Sequence, residues 1–507
     1  MKTALQTVAV LAVAAAAALC LSSCAQPSAE VVVVQGLVIG NVNVVGTRDG
    51  SLRRGVNVVI DDGRIQAVTA SPVRVSGSAQ RVDGDGKYLV PGFLDMHTHA
   101  APTLASTPND FPVLLANGVT GIREASGSPP LIAAVRRHNA AVQAGTFAGP
   151  EVLMMPSMLY AGQAPTEEGA RQFVRDRLAE GADFIKIVGG PPSAFLAAID
   201  EARKQGSHAA GHMSPAVSAV QTSNAGYRSI EHLGSGMGLL LDCSGDEAAI
   251  RAAALAARVP PPAQVVNPRV ADGQAHAALY QRIVDTYDAD KCGRLAQVFA
   301  KNGTWQAVTL IRLRTQAFGS DAAYRQDPNL QYVDKARVAL WNQTADQYAA
   351  AVPAPAQASL QAFYGLQRRT VKLLQEGGVK ILAGSDLGGG WVVPGFSLHQ
   401  EFAELSAAGL SPLQVLQAAT LSGAQFAGRE STLGTVEAGK HADLVLLDAN
   451  PLEDARHLDR IAAVVLRGRH FPRAALDRML AEVAARYAAQ APRPLAALDD
   501  PSHPPHH

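Results

Sequence analysis

The first ninety residues alternate short β-branched runs with turn residues. Residues 31–34 and 58–60 contain only valine and isoleucine, and Gly36 and Gly63 follow such runs. Short apolar runs bounded by glycine and aspartate are typical of strands joined by tight turns. The pattern therefore predicts a small β domain over residues 31–90.

From residue 91 onward, short apolar runs alternate with alanine-rich segments of helical length. Strands that alternate with helices form parallel sheets, and this many repeats favour a closed barrel over an open sheet. The sequence thus predicts the α/β class, with a TIM-like (β/α)8 barrel over residues 91–433 and a helical insertion at 243–303. The apolar runs lie at 93–94, 119–122, 184–188, 308–310 and 379–383, and clear helical segments at 170–182, 193–205 and 370–377.

The chain returns to β-type patterning near its end. Residues 442–448 and 461–466 are apolar runs of strand length. We expect residues 434–470 to join residues 31–90 in one β-sandwich domain built from both ends of the chain. Residues 471–507 predict a terminal helix followed by a proline- and histidine-rich tail without a core pattern, which we expect to be disordered.

The first residues have the features of an export signal. Lys2 precedes an apolar run, and small residues lead up to Cys24. This pattern predicts a signal peptide over 1–23, lipid attachment at Cys24 and a tether over 24–30. Because Ala25 rather than aspartate follows the cysteine, we expect a cell-envelope lipoprotein on the periplasmic face of the outer membrane. An ordinary secretory signal with an incidental cysteine is the alternative.

Two cysteines remain once the predicted signal is removed and Cys24 carries lipid. Cys243 and Cys292 are these two. In an oxidising compartment they are candidates for a disulfide, and two buried free thiols are the alternative.

Composition excludes several classes of protein. Of 507 residues, 48% are hydrophobic and 17% charged, which is a globular composition with material for a large core. The 44 basic and 44 acidic residues leave no basic excess of the kind that nucleic-acid binding needs. Beyond residue 23 there is no long uncharged apolar stretch, which argues against a multi-span membrane protein.

Polar side chains that could bind metal follow several of the predicted strands. His97 and His99 share one face of the first barrel strand, so both imidazoles can reach one ion, and Asp95 on the same face could orient a ligand. His212 and His232 end two later strands, and Asp386 ends another. His208 shares the strand face of His212 by even spacing, which leaves the assignment of His212 less specific.

Lys186 lies inside an apolar strand, where burial disfavours the charged amine. A neutral amine can react with carbon dioxide to give a carbamate that bridges two metals. An ion pair with Glu124 inside the barrel is the alternative.

These motifs, in this order, resemble the metal-dependent amidohydrolase superfamily and, within it, the imidazolonepropionase-like branch that contains prolidase-type dipeptidases of bacteria. The chain departs from the usual pattern at Glu124-Ala125-Ser126, where a glycine-rich run is common, and at Ser207-His208, where apolar residues are usual. The segments that carry the resemblance are 89–99, 118–123, 184–186, 211–212, 229–232, 383–386 and 433–445.

The resemblance implies a site with two divalent metal ions. It assigns His97, His99 and Asp386 to one ion and His212 and His232 to the other, with carboxylated Lys186 between them. Zinc suits these ligands, and manganese, cobalt or nickel remain open. Asp386 would act as base and then acid while metal-activated hydroxide attacks an amide carbonyl. A one-metal site with His97, His99, His212 and Asp386 is the alternative.

The implied substrate is a dipeptide or N-acyl amino acid, cleaved at its C–N bond, and assembly into a homo-oligomer remains open. Candidates for binding a substrate carboxylate are Arg123, Tyr160 and Tyr227. Two alternatives stay open: a single-metal cyclic-amide hydrolase or deaminase acting on a small heterocycle, and a surface lipoprotein whose barrel only binds a ligand.

Overall fold

A computed structural model describes residues 30–107, 109–257 and 266–491. The predicted signal peptide, Cys24, nearly all of the tether and the tail beyond 491 lie outside the described residues. Within those residues, no helix has both the length and the apolar character needed to cross a membrane.

The strands are numbered in chain order. They are β1 (Val31–Val33), β2 (Leu37–Val45), β3 (Leu52–Asp61), β4 (Arg64–Thr69), β5 (Val73–Val75), β6 (Gln80–Asp83), β7 (Tyr88–Pro91), β8 (Phe93–Thr98), β9 (Val119–Glu124), β10 (Glu151–Met154), β11 (Pro156–Tyr160), β12 (Phe184–Val188), β13 (Ala209–Gly211), β14 (Ser229–Glu231), β15 (Trp305–Ala307), β16 (Ile381–Leu382), β17 (Leu444–Leu447), β18 (Ile461–Leu466) and β19 (Arg469–Pro472).

The α-helices are numbered in the same way. They are α1 (Phe111–Ala116), α2 (Pro129–Gln143), α3 (Glu167–Ala179), α4 (Pro192–Lys204), α5 (Ala219–Asn224), α6 (Gly238–Asp242), α7 (Glu247–Ala256), α8 (Arg269–Ala275), α9 (Ala277–Asp285), α10 (Ala289–Asn302), α11 (Leu310–Ala317), α12 (Ala322–Arg325), α13 (Lys335–Ala351), α14 (Ala354–Glu376), α15 (Phe396–Ala407), α16 (Pro412–Ala419), α17 (Leu421–Phe426) and α18 (Arg473–Ala489). Short 3-10 helices cover Ala101–Ala105, His232–Gly234, Pro328–Tyr332 and Ala455–Asp459.

Strands from both ends of the chain share one mixed sheet. Its order is β19-β18-β17-β7-β2-β3-β4, with β6 also paired to β2. The N- and C-terminal segments meet where β7 and β17 pair antiparallel, with Val90 opposite Val445. Apolar side chains such as Ile39, Val58 and Leu446 belong to one buried cluster across this sheet. A separate two-stranded sheet joins β1 and β5.

The remaining strands form two parallel sheets that continue one another. Their orders are β10-β9-β8 and β11-β12-β13-β14-β15-β16, and Met155 alone separates β10 from β11. At the other end, Met96 of β8 donates a backbone hydrogen bond to Ala383, just after β16, at 2.9 Å. This arrangement confirms the predicted α/β class with parallel strands. It also brings the carboxyl ends of β8 and β16 together.

The long segments after β14 and β15 are mainly helical. Helices α6 to α10 separate β14 from β15, and α11 to α14 separate β15 from β16. In α10, Cys292, Leu295, Ala296 and Phe299 are buried with the spacing of one helix face. Asp288 caps its first turn by accepting a hydrogen bond from the Lys291 backbone, and Gly303 ends it at a φ of 67°.

Two boundaries differ from the sequence prediction. The strand expected at 308–310 is wrong, because β15 ends at Ala307 and Leu310 begins α11. Thr309 turns the chain there in a left-handed conformation, which the apolar pattern does not indicate. The terminal helix begins at Arg473, since the preceding residues pair with β18 as β19.

A disulfide joins Cys243, directly after α6, to Cys292 in α10. Both cysteines are fully buried, and they are 49 residues apart in sequence. The bond therefore closes a loop that contains α7, α8 and α9.

Replacing both cysteines (Cys243→Ser with Cys292→Ser) should lower the free energy of unfolding by roughly 2–5 kcal/mol, because the unfolded chain gains the freedom of the opened loop. Urea unfolding followed by circular dichroism measures the change. Reductant should destabilise the wild type by a similar amount and leave the double variant unaffected. Equal effects of reductant on both proteins would contradict a disulfide contribution.

Candidate metal centre

The end of β8 carries two buried histidines beside the chain that follows β16. His97 lies within β8 and His99 immediately after it, and both are fully or almost fully buried. The Asp386 amide donates to the carbonyl of His97 at 2.8 Å, and the His99 amide donates to Leu387 at 2.8 Å. These two backbone bonds place Asp386 opposite both imidazoles.

The ring nitrogens converge on the carboxylate of Asp386. Its Oδ1 lies 3.3 Å from Nε2 of His97 and 3.2 Å from Nε2 of His99. Its Oδ2 lies 3.9 Å from Nε2 of His232. One ligand atom from each of His97, His232 and Asp386 lies within 4.8 Å of the other two, which is close enough for the three to share an ion.

Three residues that closely follow strands β14, β15 and β16 have left-handed backbone conformations. His232, Thr309 and Asp386 have φ angles of 55°, 44° and 56°. Such angles are unfavourable for residues with a side chain, particularly a β-branched one. They occur directly after β14, near the end of β15 and after β16. Backbone strain of this kind concentrates at functional sites.

Three histidines at the centre have a partner for their other ring nitrogen. Nδ1 of His97 lies 2.7 Å from Oε2 of Glu231, and Nδ1 of His99 lies 2.6 Å from Oγ of Ser126. Nδ1 of His232 lies 2.6 Å from Oγ1 of Thr309. Because a carboxylate only accepts hydrogen bonds, His97 carries its proton on Nδ1 and presents the lone pair of Nε2 to the centre.

Lys186 reaches the same centre from β12. Its Nζ donates to Nε2 of His97 at 3.1 Å. Glu124, the alternative partner, accepts instead from the backbone amides of Ala101, Ala125 and Ser126. Among the described residues Lys186 and Glu124 make no direct ion pair within 4.0 Å, although their charges still attract one another at longer range.

Burial favours the neutral forms that metal binding requires. It lowers the pKa of His212 to about 3, with Lys186 adding to the effect, and holds the pKa values of His99 and His232 well below the usual range. Burial also lowers the pKa of Lys186 to about 8. Neutral imidazole is the ligand form of histidine, and a neutral amine is nucleophilic.

His212 completes the cluster on the side of His232. The two rings are 5.2 Å apart, between centroids. Nε2 of His212 is buried and has no hydrogen-bond partner among the described residues. A buried acceptor without a partner is costly unless something absent from the protein chain satisfies it. This donor set of imidazoles and one carboxylate fits zinc or a similar divalent ion.

Two of the candidates for substrate binding are buried and hydrogen-bonded within the protein, which corrects the sequence prediction for Arg123. Arg123 is buried beneath the centre, where its guanidinium donates to Met96 O, Ser229 Oγ and Glu231 Oε2 at 2.6–3.1 Å. Arg123 therefore lies beneath the ends of the strands, away from a substrate bound at the centre. Tyr227 is also buried, and its hydroxyl donates to the backbone oxygen of His212 at 3.0 Å.

Three other predicted residues lie as follows. Tyr160 ends β11, half-buried, with its hydroxyl 3.3 Å from Sδ of Met158. Asp95 does not contact an imidazole, because its carboxylate accepts from the amide and hydroxyl of Ser385 at 2.9 and 2.6 Å. His208 lies at the opposite end of β13 from His212 and stacks on Phe184, so it is not part of the cluster.

Sequence reasoning missed Arg312, which is buried in α11. Its Nε lies 3.2 Å from Oδ2 of Asp386, and its Nη2 donates to the carbonyl of Val266 at 2.8 Å. It follows Thr309 by three residues, so the left-handed turn after β15 aims it at the centre. No spacing motif identifies such a residue, because only the tertiary fold brings it to Asp386.

Comparison with known proteins adds to this geometry. Residues 367–470, which include Asp386, match the family model described as the Amidohydrolase family. A dihydroorotase of Carboxydothermus hydrogenoformans is 36% identical over 91 residues, 17% of this chain and 20% of that protein. An adenine deaminase of Listeria innocua is 36% identical over 87 residues, 17% of this chain and 14% of that protein. The chain thus matches a fifth or less of the length of these curated relatives.

The similarity to solved structures extends over most of the chain. A bottromycin amidohydrolase has a TM-score of 0.66 with 23% identity, covering 90% of this chain and 92% of its own. A putative prolidase from Bifidobacterium longum has a TM-score of 0.58 with 23% identity, covering 89% and 99%. A Xaa-Pro dipeptidase with bound methionine has a TM-score of 0.59 with 18% identity, covering 86% and 100%. The chain therefore shares the fold of these amidohydrolase structures.

Glu231→Gln should destabilise the protein and weaken metal binding. Arg123 would be left as a buried cation opposite a neutral amide, so the free energy of unfolding should fall by about 3–5 kcal/mol. Loss of the carboxylate charge, which leaves His97, Arg123 and Ser229 with one acceptor oxygen instead of two, should weaken metal affinity roughly 10–100-fold. Urea unfolding and a chelator-competition titration measure the two effects.

The matched control is Glu168→Gln, which removes an ion pair between Arg175 and the exposed carboxylate of Glu168. Exposed pairs contribute little, so this variant should resemble the wild type in both measurements. If the two variants lost equal stability, the Glu231–Arg123 pair would not have the central role assigned to it.

Proposed function

We propose that this protein is a metal-dependent hydrolase of the amidohydrolase superfamily that cleaves the C–N bond of a dipeptide or N-acyl amino acid. One observation carries the proposal: four histidines, Asp386 and Lys186 converge at the carboxyl ends of parallel strands, and all of them except the half-buried His212 are buried. In barrel enzymes the reacting groups lie at this end of the strands. The proposed architecture is a (β/α)8 barrel over 91–433 with a β-sandwich from 31–90 and 434–470.

The proposed ligands divide into two sets. His97, His99 and Asp386 would hold one ion, His212 and His232 the other, and carboxylated Lys186 would lie between them. Divalent ions here would polarise a carbonyl group and lower the pKa of a water molecule. Zinc is the ion that we expect, on the chemistry of the donors.

The chain's own residues supply the proton transfers. Asp386 is the carboxylate at the centre of the cluster, so it is placed to accept a proton from the attacking water and return it to the leaving nitrogen. Arg312 would hold this carboxylate in position through Oδ2 while Oδ1 faces His97 and His99. Because Asp386, His97 and His99 are buried, their electrostatic interactions are stronger than they would be in water.

Lys186 is suited to carbamate formation. Its amine is buried and its pKa is lowered to about 8, so a useful fraction is neutral near neutral pH. The Nζ lone pair would form a bond to the carbon of carbon dioxide, and one amine proton would leave to water. The resulting carboxylate would offer two oxygens as metal ligands.

The names of similar proteins support amide hydrolysis over other chemistry. One similar structure is called a putative prolidase and another a Xaa-Pro dipeptidase. The local matches to a dihydroorotase and an adenine deaminase favour a second candidate, a single-metal cyclic-amide hydrolase or deaminase.

We also propose export and lipid anchoring at Cys24, which the Cys243–Cys292 disulfide supports because such bonds persist outside the cytoplasm.

Metal content per chain tests the proposal first. Protein purified without chelator should contain two equivalents of divalent metal by inductively coupled plasma mass spectrometry, and it should hydrolyse members of a dipeptide or N-acyl amino acid library. One equivalent would favour the single-metal alternative. No metal after incubation with zinc or manganese would leave only the ligand-binding alternative.

Lys186→Ala should lose one of the two ions and most of the activity, because the bridging carboxylate is gone. Lys380→Ala is the control, since Lys380 is exposed at the opposite ends of the strands and should retain both. Two ions per chain in the Lys186 variant would remove Lys186 from the bridging role.

A further inference from the structure

A cavity of about 330 Å³ adjoins the candidate metal centre. It lies over the carboxyl ends of β12, β13 and β14, and His212 belongs to both the cavity lining and the cluster. Gly189 follows β12 and Gly234 follows His232, so the cavity begins where the strands end. A molecule with its reacting bond at the centre therefore has this space beside it.

The wall of this cavity is mainly apolar. Methionine side chains adapt to varied apolar shapes, and aliphatic neighbours offer no hydrogen bonds to a ligand. The apolar lining consists of Val188, Met213, Val217, Met237, Leu241 and Ala254.

The cationic side chain in the wall already has protein partners. Nη1 of Arg251 donates to the carbonyl of Pro215 at 2.6 Å, and Nη2 contacts Asp242 and Glu247 at 3.0 and 3.1 Å. Ser214 donates its hydroxyl proton to the carbonyl of Gly190 at 2.8 Å. A charged ligand group would have to compete with these contacts, whereas an apolar group would not.

A glycine-rich turn fixes the wall nearest His232. Gly234, Ser235 and Gly236 have φ angles of 101°, 63° and 53°. A Cβ atom at Gly234 would lie 2.9 Å from Sδ of Met213, and one at Gly238 would lie 2.0 Å from the carbonyl oxygen of Leu233. The turn is therefore packed tightly against its neighbours, and the cavity is a preformed space beside the centre.

We propose that this cavity binds a bulky apolar side chain, of the size of leucine, methionine or phenylalanine, on the substrate residue next to the cleaved bond. The inference rests on the proposed function for the identity of the substrate. The preference for this substrate side chain would then be set by the segment after His232 and by α7, which supplies Ala254.

Binding and turnover test the assignment together. The probes are N-acetyl-L-leucine, N-acetyl-L-alanine and N-acetyl-L-aspartate, and their affinity for the full-length protein is measured calorimetrically or, where the compound is itself hydrolysed, as its inhibition constant against a common dipeptide substrate. The leucine compound should bind at least about tenfold more tightly than the alanine compound, since each extra methylene in an apolar pocket contributes at least that much discrimination. The aspartate compound should bind most weakly.

Two tryptophan variants on the same helix locate the effect. Ala254→Trp fills the cavity and should abolish the preference for leucine, while Ala253→Trp, at an exposed position outside the lining, should keep it. Ala254→Leu is a smaller obstruction that should reduce the preference partly, and thermal unfolding of each variant checks that it folds. A preference for aspartate, or a leucine preference that survives both Ala254 variants, would overturn the inference.

Steady-state kinetics separate this inference from the proposed function. With X-Gly and Gly-X dipeptides, one series should show kcat/KM about tenfold or more higher for leucine than for alanine, and Ala254→Trp should remove the difference. Hydrolysis without that preference would overturn the inference and leave the proposed function standing. Selective binding of N-acetyl-L-leucine without hydrolysis of any peptide or N-acyl compound would overturn the function and support the cavity assignment.

Discussion

A buried carboxylate, Glu231, ties together the strands on which the metal centre depends. It accepts from His97 and from Arg123, and Ser229 donates its hydroxyl proton to the other oxygen. Burial acts to raise the pKa of Glu231, but the guanidinium of Arg123 and the hydrogen bond from His97 hold it well below its usual value. Glu231 is therefore ionised at neutral pH. It fixes the tautomer of His97 and links β8, β9 and β14 through polar contacts beneath the centre.

The cost of burying these groups explains the rest of the arrangement. A buried cation is stable only when it is paired and its donors are satisfied, and Arg123 meets this condition through three acceptors and the ring of Phe426, 4.9 Å away. Above it, no comparable partner faces Nε2 of His212 within the described residues. The polar groups around Glu231 and Arg123 are thus paired with one another, whereas Nε2 of His212 has no such partner within the described residues. That contrast separates structural polar groups from those available to an ion or substrate.

Sequence reasoning predicted the α/β class and identified the residues that the structure brings together, because both follow from local patterns. His97 and His99 alternate along one strand, and Asp386 follows an apolar run. The partners of these residues were not predictable in the same way. Ser126, Thr309 and Arg312 reach the centre from the loop or helix that follows other strands, and only the tertiary fold determines which of these segments meet. Arg123 is a substrate-binding candidate by sequence but lies beneath the centre, since alternation along a strand gives the face of a side chain but not its depth.

The Cys243–Cys292 disulfide affects the shape of the site, although neither cysteine contacts the proposed metal ligands. Cys243 directly follows α6, and α6 begins at Gly238, the end of the glycine-rich turn after His232. A turn with several left-handed residues is unfavourable on its own, so its downstream end must be held by other contacts. The buried bond to Cys292 and the apolar face of α10 supply that restraint. The insertion thus acts on the shape of the cavity through the backbone that leaves His232, without supplying any of the proposed metal ligands.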